Sequence, residues 1–162
     1  MQKNGKSDPG SKRCPILVLG IGNILLRDEG VGIHVIRQLA QRELPDGVEI
    51  FDGGTAGADL LDVIADRKKV IVVDALDADC KPATVMRFTL DPSEKLTPVT
   101  GSLHNLGIAE TVAMTAQLNC APEQVVVFGV KPASLEPGLE LSHQVAATIP
   151  EITELVLQEC TC

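Results

Sequence analysis

At 162 residues the chain is one ordinary domain, since dividing it would leave pieces too small for a good core, whereas a single domain of this size buries roughly 70% of its unfolded surface. Aromatic residues are 2% of the chain and apolar residues 44%, so the core has to be built from Val, Leu, Ile and Ala, a mix that suits parallel strands covered on both faces. A formal charge of −8 offers no basic footprint for a nucleic-acid backbone and no support for binding a membrane surface.

Residues 1–14 are polar, carry Lys3, Lys6, Lys12 and Arg13, and lack the continuous apolar segment of a secretory signal. A flexible tail and a cytoplasmic location are expected. Residues 16–19 read as a buried strand, the glycines at 20 and 22 as a loop, and the apolar positions 31, 35, 36, 39 and 40 as a helix. A second strand over 48–51 ends in the turn-forming run 52–57, and Leu60, Leu61, Val63 and Ile64 mark a short helix. Residues 70–73 are all β-branched and form a third strand that delivers Asp74 at its carboxyl end.

The looser alternation over 83–90 suits an edge strand antiparallel to the others, because the connection before it is too short for a helical crossover. A loop containing Pro92 and Pro98 leads to Ser102, the expected N-cap of a helix over about 103–118. Residues 125–128 make the fifth strand. Ser142 opens a terminal helix with Val145, Ile149, Ile152 and Val156 at helical spacing, which Pro150 should kink. The predicted fold is a single three-layer αβα domain over 15–158, with a twisted, mainly parallel five-stranded sheet and one antiparallel edge strand; residues 159–162 are expected to be a C-terminal tail. All apolar runs are strand-sized, far short of a bilayer span. Five cysteines without a C-x-x-C pair fit neither a disulfide framework nor a zinc ribbon, and the C-x-C of Cys160 and Cys162 reads as free thiols on an exposed tail.

Ligands of open α/β sheets bind beyond the carboxyl ends of the strands, so the strand exits are where chemistry is expected. The first exit lacks the glycine that the G-x-G-x-x-G fingerprint requires at position 25, and Asp28 and Glu29 would repel a pyrophosphate; no organic cofactor is expected. An acidic pair at a helix start, taken alone, is well explained by the helix dipole. Asp74, taken alone, is equally well a turn residue. His104, two residues after Ser102, is placed where the dipole favours a neutral imidazole, although a lone histidine there more often makes a local hydrogen bond. His34 and His143 read as structural. Two carboxylates and an imidazole from three separate elements make an open O, O, N set that accepts nickel, zinc or another first-row dication.

These residues stand in five motifs: 19–32 (LGIGNILLRDEGVG), 52–57 (DGGTAG), 73–75 (VDA), 104–107 (HNLG) and 129–132 (GVKP). In that order they resemble the [NiFe]-hydrogenase maturation endopeptidases, over the chain from Ile16 to about Val156. The resemblance implies that Glu29, Asp74 and His104 are the nickel contacts and the catalytic set. Many relatives carry Asp at the position of Glu29, a change that alters the arm length but not the chemistry. Lys131 stands where a neutral residue is common, and no role passes to it.

The implied activity is removal of a C-terminal extension from the large-subunit precursor of a [NiFe]-hydrogenase, with nickel carried in by that precursor. Asp52, Gly53, Gly54 and Thr55 at the neighbouring exit are equally well a tight turn or a surface on which a peptide backbone can lie closely. The chain has no G-x-S-x-G elbow, no H-E-x-x-H helix and no cysteine at a ligand-bearing exit, which disfavours covalent catalysis. The competing reading is a nickel chaperone for hydrogenase assembly that binds the ion through the same residues without cutting.

Overall fold

A computed structural model describes residues 13–94 and 103–162. Five strands, β1 (Ile16–Gly20), β2 (Val48–Asp52), β3 (Lys69–Ala75), β4 (Val85–Leu90) and β5 (Gln124–Val130), form one sheet in the order β2-β1-β3-β5-β4. All neighbours are parallel except β4, which runs antiparallel to β5 at the edge, as its looser alternation predicts. Every residue of β3 is buried. That follows from its central position and from helices on both faces, which make a continuous apolar run the stable sequence there.

Successive side chains of a strand point to opposite faces, and the core divides accordingly. Val18, Ile71, Val73, Val126 and Phe128 pack with α1 (Val31–Leu39) and α5 (Ile149–Cys160) on one face. Leu17, Leu19, Val70, Val72 and Val127 pack on the other with Ile64 of α2 (Leu61–Ile64) and with Ile108 and Val112 of α3 (Leu103–Gln117). The three predicted layers are present. No helix among the described residues is long and apolar enough to cross a membrane.

The carboxyl-terminal region differs from expectation in two respects. Pro150 does not kink a continuous helix: the segment splits into α4 (His143–Ala146), capped by Ser142, and α5, with Pro150 in its first turn. An amide in a first helical turn has no intrahelical acceptor, so proline costs nothing there and favours a new start over a bend. The expected tail over 159–162 also shortens, because α5 runs to Cys160 and buries both Glu159 and Cys160. Cys160 joins the core, where burial pushes its thiol up to about 11, while Cys162 is exposed; the two do not form a shared thiol site. At the other end Arg13 already joins the domain, its Nη1 donating to the carbonyls of Asp62 at 2.7 Å and Ala65 at 3.1 Å. The rest of the expected N-terminal tail, together with Pro98 and the proposed cap Ser102, lies outside the described residues.

Candidate active site

The exit of β1 runs through a loop into a 3-10 turn, Arg27–Gly30, which leads directly into α1. Two close approaches press this turn against the sheet. A Cβ on Gly22, whose φ is +145°, would lie 1.9 Å from the carbonyl oxygen of Glu29, and one on Gly32 would lie 2.2 Å from that of Val73. Any side chain at either position would drive the turn away from β3. The Ile21 amide donates to the Val73 carbonyl at 3.0 Å, joining the loop to the last residues of β3.

The result is that Glu29 and Asp74, 45 positions apart in the chain, become electrostatic neighbours. Both are buried, at 6% and 1% exposure. Asp74 is pushed up to about 8, foremost by burial; the Ala75 amide pulls the other way, and the charge of Glu29 adds a smaller upward push. That amide lies close enough to act through space but does not make a well-formed hydrogen bond, and neither Asp74 oxygen has one among the described residues. A buried carboxyl without a well-formed hydrogen bond costs free energy in its charged form, which favours the protonated one.

Asp28, the other half of the acidic pair, has a different task. It is fully buried, and its carboxylate accepts from the amides of Ala133 at 2.8 Å, Ser134 at 2.9 Å and Ser142 at 2.7 Å and from the Ser142 hydroxyl at 2.8 Å. It ties the turn that carries Glu29 to the segment 133–142. Spacing along the chain gives no sign of this, because the donors are 105 or more positions away.

The loop after β2 adjoins the same turn. Gly53 donates to the Gly20 carbonyl and Gly22 to the Gly54 carbonyl, both at 2.8 Å, so Gly22 touches this loop on one side and Glu29 on the other. Asp52 accepts from the Gly54 amide at 2.9 Å, which closes an Asx turn and supports the tight-turn reading; Asp52 and Thr55 nonetheless stay exposed. Lys131 pairs with Asp77.

Of the three residues expected to share a cation, the fold brings Glu29 and Asp74 together. His104 falls in the first turn of α3, but its side chain lies outside the described residues. Among the described residues no three His, Cys, Asp or Glu side chains converge. His34 sits half-buried in α1, with burial and Arg37 lowering its pKa, and His143 is exposed at the start of α4.

A mainly parallel sheet with buried carboxyls at adjacent strand exits can host many chemistries, and comparison with known proteins specifies which. The hydrogenase maturation protease family profile matches residues 33–159. The hydrogenase 2 maturation protease of Escherichia coli is 41% identical over 144 residues, covering 88% of each chain, and a putative hydrogenase maturation protease of Methanocaldococcus jannaschii is 34% identical, covering 91% of this chain and 97% of that one. In three dimensions the hydrogenase maturating endopeptidase HybD of Escherichia coli superposes with a TM-score of 0.78 at 39% identity, over 89% of this chain and 90% of that chain. The chain belongs to the hydrogenase maturation protease family. It is a peptidase, a hydrolase acting in hydrogenase maturation.

Proposed function

We propose that the chain removes the C-terminal extension of a [NiFe]-hydrogenase large-subunit precursor in the cytoplasm, and that nickel carried by the precursor is its recognition element. Glu29, Asp74 and His104 would contact that nickel and form the catalytic set. The observation that carries this reading is the acidic pair: a buried Asp74 whose oxygens lack well-formed hydrogen bonds, set beside Glu29 at a strand exit. A dication answers what the Asp74 carboxyl lacks, and carboxylate oxygens with an imidazole suit a borderline first-row ion. A nickel ion in place supplies Lewis-acid polarisation and a template for the scissile region.

The chain's own residues do the rest. Asp74 holds a proton at neutral pH while no cation is present and yields it as positive charge arrives, which couples cleavage competence to the loaded precursor. Burial of both carboxyls keeps water from competing with the precursor's groups. Asp52, Gly54 and Thr55 offer the peptide a surface next to the pair, while the buried Gly53 packs that loop against Leu19. Mass spectrometry of a nickel-loaded precursor before and after incubation tests the reading. A shortened large subunit with the loaded precursor, and none with the metal-free one, is the expected result; an unchanged mass, or equal trimming of both, would refute it.

A further inference from the structure

Among the described residues five large apolar side chains are exposed. Isolated exposed leucines need no explanation, but contiguous ones mark contact surfaces. Leu25, Leu135 and Leu139, at 59%, 49% and 66% exposure, come from two segments sewn together beside the acidic pair. Leu26 and Gly138 form a parallel bridge; the Gly138 amide donates to the Leu25 carbonyl at 2.8 Å and the Arg27 amide to the Gly138 carbonyl at 3.0 Å. Leu25 stands one residue before the bridged pair and Leu139 one after it, so the joint holds the two exposed leucines close together.

This surface is held in place. The buried Asp28 carboxylate grips Ala133 and Ser134 at one end of the second segment and Ser142 at the other. The Glu29 amide donates to the Leu26 carbonyl at 3.2 Å, and Leu25 stands two residues before the turn that carries Glu29. A partner therefore meets a preorganised surface, with little ordering to oppose binding.

The charge selects the partner. Glu136 and Glu140 are exposed and in no ion pair among the described residues. The one cation of the two segments, Arg27, has its Nε buried against Gly138, and the glutamates outnumber it. A second copy of this chain would bring a charge of −8 and the same two glutamates to a symmetric contact, which like-charge repulsion opposes.

We propose that Leu25, Leu135 and Leu139, rimmed by Glu136 and Glu140, dock an apolar segment of the precursor polypeptide that carries Lys or Arg at its flanks, next to the bond being cut. This rests on the peptidase reading above. The test is steady-state cleavage of the nickel-loaded precursor by wild-type chain, by Leu25→Ser with Leu139→Ser, and by Glu136→Lys with Glu140→Lys. The leucine pair should raise KM about tenfold with kcat held within about twofold, as loss of apolar anchors does. The charge reversal should raise KM several-fold and abolish the increase of wild-type KM with salt.

Wild-type KM in both variants would overturn the docking surface. So would a dimer in sedimentation that the leucine substitutions dissolve, because a second copy would then be the occupant. Should the leucine pair fail to fold, the charge reversal and its salt dependence decide alone. If wild-type chain binds the precursor without cutting it, the peptidase reading falls, and loss of that binding in the variants still upholds the surface.

Discussion

Carboxylates are buried in two regions of this molecule, and they are treated in opposite ways. Under the sheet, Glu159 near the end of α5 receives Lys69 Nζ at 2.6 Å and Arg87 Nε and Nη2 at 2.9 and 3.1 Å, so each carboxylate oxygen has cationic donors. Those donors, Arg87 foremost, hold the Glu159 carboxyl below its usual range although burial opposes them. At the strand exits Asp74 has a second acid as its charged neighbour and sits far above that range. The same chemical group anchors a helix when its charge is answered within the fold. Where the answer is left to an arriving cation, it makes a site.

Substitutions should separate the two regions. The largest effect is expected at the exits: Glu29→Gln and Asp74→Asn should each lower processing of the nickel-loaded precursor at least about a hundredfold. Asp74→Asn should not lower the melting temperature, because it replaces a buried acid whose oxygens lack well-formed hydrogen bonds. Gel mobility of the precursor and thermal unfolding read the two halves, and full trimming by both variants would remove them from the catalytic set.

Glu159→Gln should do the reverse. It leaves the buried Lys69 with neutral acceptors only and should cost about 3 kcal/mol of stability while leaving activity per folded molecule unchanged, measured by denaturant unfolding and by cleavage. Acid sharpens the contrast. The folded-state pKa of Glu159 lies below its unfolded value, so its contribution is present above the unfolded value near 4.5 and is lost as pH falls through the folded one. The stability gap between wild type and Glu159→Gln should close in that acid window. For Asp74 the slope is reversed: its folded pKa of about 8 exceeds 3.8, so the cation-free protein should lose stability between pH 4 and 8, and Asp74→Asn should flatten that slope.

A smaller effect is expected at the joint between the site and its supporting segment. Asp28→Asn keeps the shape but exchanges one accepting oxygen for a donor that faces amides, and should cost about 1–3 kcal/mol in denaturant unfolding. Because the same turn carries Glu29, kcat should fall in parallel. Wild-type stability would show that the four hydrogen bonds are dispensable.

Much of this was readable in the chain. The β-branched run before Asp74 and the spacing of Val31, Val35, Ile36 and Leu39 placed strand and helix within a residue or two, because each element buries a face whose period is local. The loose alternation at 83–90 located the antiparallel edge for the same reason. Pro150 and Glu159 were misread for want of the third dimension: whether proline bends a helix or begins one, and whether a last turn frays or packs, depends on what faces it.

The order of apolar and polar residues by itself determined the layers, the strand exits and the acids standing at them, since these follow from periodicity and from where a parallel sheet leaves its loops. Only the tertiary structure decided that adjacent Asp28 and Glu29 part company. One is saturated by amides more than a hundred positions away, and the other is set against Asp74. Hydrogen-bond partners and local dielectric are properties of position in space, and sequence separation carries no record of them.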